Sequence, residues 1–151
     1  KMAESDTKSV VEGGQMKTTL SAVDENEIAK RYYEAAEKGL EESKYDIAGY
    51  YYSKIIAEIK NNIIKNDAYF YMGRIMYIQK KYKESLEYYT KFLEVGDILK
   101  NGEAYYNLAN IYFAQNDRDT TMQYINKIFE EYPYTFWETK AKVMYSLKLK
   151  K

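Results

Sequence analysis

The stretch of sequence that decides the fold runs from Ala68 to Leu93 and reads AYFYMGRIMYIQKKYKESLEYYTKFL. Its apolar residues recur every three or four positions on both sides of a polar hinge at residues 79 to 81, which predicts two amphipathic helices joined by a tight turn. The small residues Gly73 and Ser85 lie where the helices would cross most closely, because a larger side chain would push the backbones apart. One such hairpin cannot bury its own apolar face, so it needs neighbours.

The same pattern recurs along the chain with a period of about 37 residues. Small residues stand in register at Ala36, Gly73, Ala109 and Ser146. Twelve positions after the first three of these, a second small or slim residue follows, at Ala48, Ser85 and Thr121. Four positions before each of the same three, a tyrosine occurs, at Tyr32, Tyr69 and Tyr105. Agreement at this many positions predicts stacked helical hairpins.

The third copy resembles a tetratricopeptide repeat. It reads YYNLANIY from Tyr105 to Tyr112, with Thr121 in a slot for a small residue and Pro133 closing the unit. The resemblance covers about residues 29–150, and the period is slightly longer than the family's usual length of about 34 residues. It implies an all-α fold, a right-handed superhelical solenoid of antiparallel helix pairs. The repeats are expected at about residues 28–64, 65–101 and 102–134 of a domain spanning 24–151, with a capping helix at 135–150.

Short polar residues are expected to cap the helix starts, because their side chains can accept hydrogen bonds from unpaired backbone amides. The expected caps are Asp24, Asp67, Asn101, Asp117 and Thr135. Residues 61–66 are expected to connect the first two repeats. Pro133 is expected to end the helix at Tyr132, because proline cannot continue it.

Both ends of the chain allow two interpretations. Residues 1–23 are either a flexible lead-in or an arm that docks on a neighbour through Leu20, Ala22 and Val23. The last helix either caps the solenoid or pairs with a helix supplied by another molecule or by sequence not included here.

Composition excludes several functions. Lys and Arg together number 23, as do Asp and Glu, so no bulk charge favours nucleic acid. No run reaches the roughly 18 to 20 apolar residues of a membrane-spanning helix. The chain has no Cys and no His, so it lacks thiol chemistry and the commonest general base and metal ligand. No residue pattern indicates catalysis, and we predict a non-enzyme without metal or cofactor.

The resemblance implies a binding groove, because the first helix of each repeat lines the inside of the superhelix in this family. Three side chains of each first helix are expected in the groove, one, five and eight places after the family's aromatic position. These family offsets give Tyr33, Glu37 and Leu40 in the first repeat, Phe70, Arg74 and Tyr77 in the second, and Tyr106, Asn110 and Phe113 in the third. Aromatic rings with interspersed polar groups suit an extended or helical peptide. For Leu40, Tyr77 and Phe113, packing against neighbouring helices is an equal alternative.

The expected function is that of a scaffold or adaptor whose groove binds a peptide or helix of a partner protein. The alternative is self-assembly into a homo-oligomer through the N-terminal arm or the last helix. Storage of a small apolar ligand is less favoured, because nothing in the sequence marks a closed pocket. The run EEYPYT at residues 130–135 is similar to bacterial envelope repeat proteins of the outer-membrane assembly and Tol-Pal accessory type, which favours the bacterial periplasm or cell envelope over the cytoplasm.

Overall fold

The computed structural model describes residues 22–150, which form seven α-helices followed by a π-helical turn, with no strand among them. The helices are α1 (Ala22–Glu41), α2 (Tyr45–Glu58), α3 (Asn62–Ile78), α4 (Tyr82–Leu93), α5 (Asn101–Ala114), α6 (Arg118–Glu131) and α7 (Phe136–Met144), and the π-helical turn is Tyr145–Leu149. The expected arm at residues 1–23 lies outside the described residues, except that Ala22 and Val23 already belong to α1.

Consecutive helices pack as hairpins. α1 packs on α2, α3 on α4 and α5 on α6, while α2 and α4 contact the first helix of the following pair and α7 covers α5 and α6. The buried apolar side chains form clusters within and between these pairs, so each hairpin buries its face against the next. The prediction of an all-α solenoid of helix pairs is confirmed.

The crossing of α3 and α4 depends on the small residues that the sequence singled out. A Cβ atom added to Gly73 would lie 2.7 Å from Cδ1 of the buried Tyr89 ring, which is too close for two carbon atoms. Across the same crossing, Ser85 Oγ donates a hydrogen bond to Gly73 O at 2.8 Å. Ala36 and Ala109 are also fully buried. The fourth small residue does not follow the pattern: Ser146 is exposed on the π-helical turn, so its predicted packing is wrong.

The start of α3 differs from the prediction. The side chain of Asn61 caps this helix, because its Oδ1 accepts hydrogen bonds from Ile63 N at 3.0 Å and Ile64 N at 3.2 Å. The connection predicted at residues 61–66 is therefore wrong, and the expected repeat boundary between 64 and 65 falls inside α3. Asp67 does not cap the helix. Its carboxylate instead forms an ion pair with Lys100 Nζ at 2.9 Å.

Two of the remaining four cap predictions are confirmed. Asp117 Oδ1 accepts from Thr120 N at 3.0 Å, and Thr135 Oγ1 accepts from Glu138 N at 3.3 Å. Asp24 is not a cap, since α1 begins two residues earlier. Asn101 is the first residue of α5, and its Oδ1 accepts from Asp97 N at 2.8 Å, so it fixes the preceding turn.

Tyr52 and Tyr89 occupy equivalent repeat positions in α2 and α4, and both are fully buried. The Tyr89 hydroxyl accepts a hydrogen bond from Asn107 Nδ2 at 2.8 Å. The Tyr52 hydroxyl is buried with no hydrogen-bond partner among residues 22–150. Burial raises the pKa of both hydroxyls, so both stay protonated near neutral pH.

The same substitution should therefore have opposite effects at these two positions. Tyr52→Phe removes an unpaired buried hydroxyl and should raise the free energy of unfolding by about 1 kcal/mol. Tyr89→Phe leaves the buried Asn107 amide without its acceptor and should lower that free energy by about 1 to 2 kcal/mol. Urea unfolding followed by circular dichroism measures both changes. Equal shifts of the same sign would contradict the conclusion that the Tyr89 hydroxyl is hydrogen-bonded and the Tyr52 hydroxyl is not.

Candidate functional site

Helices α3, α5 and α7 together form a surface depression of about 470 Å³, called here the aromatic depression. Each helix contributes to its lining: Tyr77 comes from α3, Glu103, Tyr106, Asn107 and Asn110 come from α5, and Phe136, Trp137 and Lys140 come from α7. Four of these side chains are aromatic and four are polar or charged. Burial raises the pKa of the Tyr77 hydroxyl, which therefore remains a neutral hydrogen-bonding group.

The wall formed by α7 depends on where that helix begins and on a glycine beneath it. Pro133 follows the end of α6, and Thr135 caps α7, which places Trp137 in its first turn. The indole lies directly over Gly102, because a Cβ added there would be 2.5 Å from Trp137 Cδ1. The indole also packs on Tyr106, with ring centroids 6.0 Å apart. The missing side chain at Gly102 thus allows α7 to close one side of the depression.

Lys140 supplies a positive charge at the rim of the depression. Its ammonium lies 5.3 Å from the Tyr106 ring centroid and 5.6 Å from the Phe136 ring centroid, within the range of cation–π interactions. The Lys140 residue remains exposed to solvent. This ammonium group can therefore pair with a carboxylate that approaches the aromatic surface.

Arg74 forms a bidentate ion pair with Glu103 that joins α3 to α5. Arg74 Nε lies 2.6 Å from Oε1 and Nη2 lies 2.7 Å from Oε2, while the guanidinium lies 4.9 Å from the Phe70 ring centroid. Burial acts to lower the pKa of Arg74, but the hydrogen bonds to Glu103 outweigh it and the net pKa is raised. Arg74, expected to contact a ligand, is thus engaged within the protein, and the Glu103 charge beside the depression is neutralised.

The structure brings only some of the predicted groove residues together. Tyr77, Tyr106 and Asn110 line the aromatic depression. Phe113 is half-buried near the end of α5, with Lys148 Nζ 5.2 Å from its ring centroid. Tyr33 lines a different cavity, at the start of α3, and Glu37 is exposed on α1.

Two of the remaining predicted residues pack in or against the hydrophobic core. Phe70 does not face a groove: its ring is 1% exposed and packs against Phe92 and Tyr89 in the core, so that prediction is wrong. Leu40 is half-buried and packs against the core of the first hairpin, as the alternative interpretation allowed.

Sequence reasoning missed five residues of the depression: Glu103 and Asn107 on α5, and Phe136, Trp137 and Lys140 on α7. The three on α7 lie on a helix that was interpreted either as a cap or as the partner of a helix from elsewhere, with no position assigned to the groove. The capping motif at Thr135 gave the start of α7, but the repeat pattern carried no signal for which of its residues face α5.

Residues 22–150 contain neither a metal-binding cluster of side chains nor a membrane-spanning helix. In this part of the chain, no group of three or more His, Cys, Asp or Glu residues has an arrangement that could hold a metal ion. No helix within the same range has the length and apolar character needed to cross a membrane.

Comparison with known proteins gives one family match. A family model described as a tetratricopeptide repeat matches residues 103–133, which correspond to α5, α6 and the closing Pro133. A search of the curated proteins found no match. The match falls on the copy whose motif resembles the family most closely, and it supports a protein of the tetratricopeptide-repeat type.

Proposed function

We propose that this chain of the tetratricopeptide-repeat type is a non-catalytic scaffold or adaptor, and that its aromatic depression binds a peptide or helix of a partner protein. Repeats of this type generally mediate protein–protein interaction. The observation that carries the proposal is the convergence of Tyr77, Tyr106 and Trp137 from three helices around polar groups. Aromatic side chains are enriched at the centres of protein interfaces.

The chemistry of the depression indicates what the bound segment contains. Tyr and Trp rings offer a large contact area at a small cost in conformational entropy, so they suit an apolar or aromatic side chain. The amide of Asn110, whose Nδ2 donates to Tyr106 O at 2.9 Å, can also hydrogen-bond a peptide backbone. The exposed Lys140 ammonium favours a carboxylate nearby. We therefore expect a segment with an apolar anchor and an adjacent acidic residue.

A double substitution tests this function. Tyr77→Ala combined with Tyr106→Ala removes two aromatic contacts, and binding of selected peptides should weaken by about a hundredfold, since anchors of this kind cost about 2 kcal/mol or more when truncated. Peptides are first selected on the wild-type chain from a random display library, and their affinities are then measured by fluorescence anisotropy.

The matched control is Tyr50→Ala on α2, which removes a tyrosine that is exposed outside the depression. It should leave affinity within about twofold of wild type, and circular dichroism should show all variants folded. If the selected peptides bind the double variant as tightly as the control, the depression is not the binding site.

Self-assembly is the second candidate, and one observation favours it. Val143 and Leu147 on α7 and the π-helical turn are 54% and 69% exposed, which leaves apolar surface at the end of the solenoid. Light scattering over a wide concentration range decides the matter. A mass that stays at that of one chain removes this candidate and leaves the partner-binding proposal unaffected.

We also propose that the chain is of the bacterial envelope type and that it acts in the bacterial periplasm or cell envelope. Both proposals rest on the similarity of residues 130–135 to the junctions of such proteins, and the family match does not extend to the subtype.

A further inference from the structure

A second and larger cavity, of about 680 Å³, lies at the opposite end of α3 from Tyr77. We call it the α1–α3 cavity, because α1, the first turns of α3 and the connection between α4 and α5 line it. Ala29, Ile63, Ile64 and Val95 contribute apolar surface. The side chain of Ile63 is 80% exposed, so apolar surface continues from the cavity to its rim. The volume is within the range typical of small-molecule sites.

Two side chains that line this cavity have buried oxygen atoms without a hydrogen-bond partner among residues 22–150. Asn66 is 7% exposed, and its Nδ2 donates to Gly96 O at 3.2 Å. Because a backbone carbonyl can only accept, this bond fixes the orientation of the amide and leaves Oδ1 as the unpaired acceptor. The hydroxyl oxygen of Tyr33 on α1 is the second unpaired buried oxygen. Buried polar atoms are rarely left unpaired in folded proteins, so both call for a partner.

The charges around the cavity favour a cation. Lys100 Nζ lies 2.9 Å from Asp67 Oδ1 and 3.2 Å from Asp97 Oδ2, so one ammonium is shared by two carboxylates. On the α1 side, the exposed Lys30 ammonium is 4.0 Å from Glu34. The three groups around Lys100 together carry one net negative charge, whereas the charges of Lys30 and Glu34, which does not line the cavity, offset each other. Hydrogen bonds from Leu99 N and Lys100 lower the pKa of Asp97, which keeps it ionised at neutral pH.

We propose that the α1–α3 cavity binds a primary ammonium group carried on an apolar body. The ammonium donates hydrogen bonds to Asn66 Oδ1 and the Asp67 carboxylate, and the apolar body packs against Ile64 and Val95. A free amine and the N-terminus of a peptide share this chemistry. The site is separate from the aromatic depression, since α3 contributes its first turns here and its last turn there, so the inference does not depend on the function proposed above.

The test uses three probes with the full chain labelled with ¹⁵N. Leucyl-leucine amide carries a free ammonium, N-acetyl-leucyl-leucine amide has the same apolar body without that charge, and hexylamine is a free amine without peptide groups. Each is titrated while the backbone amide signals of Ile64, Val95, Gly96 and Lys100 are followed by NMR. We expect the unacetylated dipeptide to shift these signals and to bind at least about tenfold more tightly than the acetylated one, because hydrogen bonds to charged groups contribute this much.

Comparison of the two free amines identifies the source of the ligand. Hexylamine binding as tightly as the dipeptide supports a small amine, and clearly weaker binding supports a peptide N-terminus. The proposal is overturned if the acetylated dipeptide binds as tightly as the free form, or if no probe shifts the cavity signals.

Matched carboxylate substitutions locate the site. Asp67→Asn removes a charge from the cavity, while Lys100 keeps its pair with Asp97, and it should weaken binding of leucyl-leucine amide by about tenfold or more. The control is Asp46→Asn on α2, which removes an exposed carboxylate outside the cavity and should leave affinity within about twofold. Equal affinities of the two variants would overturn the proposal. Asn66→Leu tests the acceptor separately, with its NMR spectrum as the check on folding.

Discussion

Gly73→Leu should lower the free energy of unfolding by about 3 kcal/mol, at the upper end of the range for overpacked cores. Even the first added carbon would lie 2.7 Å from Tyr89 Cδ1 and 2.9 Å from Cε1 and Cγ. The Tyr89 ring cannot move away cheaply, because it is fully buried and its hydroxyl is bound to Asn107. Helices α3 and α4 must therefore separate, which also strains the bond from Ser85 to Gly73 O.

A pair of alanine substitutions isolates the steric effect in urea unfolding experiments. Gly73→Ala should destabilise the fold by about 1 to 2 kcal/mol through the same contact. Gly49→Ala adds the same methyl group to α2, where the nearest atom is Met72 Sδ at 4.0 Å. It should stabilise the fold by about 0.5 to 1 kcal/mol, because alanine favours the helix more than glycine does. If the two substitutions have equal effects, the crossing is not as close as described.

The helix crossings were predictable from sequence because close approach of two backbones restricts residue size directly. Gly73 with Ser85 and Ala109 with Thr121 are all buried where the repeat pattern placed them. Helix caps were less predictable, since several short polar residues near a helix start satisfy the same chemical rule. Asn61 caps α3, while Asp67 is engaged by Lys100, which follows the far end of the same hairpin and directly precedes α5. Which of the two residues caps α3 thus depends on a tertiary contact, which a local sequence pattern does not reveal.

The residues of the candidate site were also only partly predictable from sequence, because their surroundings depend on tertiary contacts. Family offsets identified Tyr77, Tyr106 and Asn110, but they also selected Arg74, whose charge is taken by Glu103 on the neighbouring α5. The offsets apply one rule to every repeat, whereas the environment of each first helix depends on its neighbours. α7 contributes three side chains to the depression, although the repeat pattern assigned it no binding position.

Phe70 and Tyr106 allow the different environments of equivalent repeat positions to be measured, because each follows the tyrosine of its repeat by one position. Phe70→Ala should lower the free energy of unfolding by about 3 to 5 kcal/mol, as expected for truncation of a buried aromatic ring. Its ring contacts Phe92 and Tyr89, with centroids 5.1 Å and 6.0 Å away, and it supports the Arg74 guanidinium that pairs with Glu103. Loss of the ring thus opens a cavity and removes one surface on which the ion pair rests.

Tyr106→Ala is the comparison, because the Tyr106 ring is only half-buried and packs on Trp137 with ring centroids 6.0 Å apart. It should cost about 1 to 2 kcal/mol, since less apolar surface is lost. Urea unfolding of both variants, with peptide binding measured in parallel, separates the two roles. Phe70→Ala should act mainly on stability and Tyr106→Ala mainly on binding. Similar losses of stability from both substitutions would mean that Phe70 is not the core residue described, and that the family offsets were correct for the second repeat.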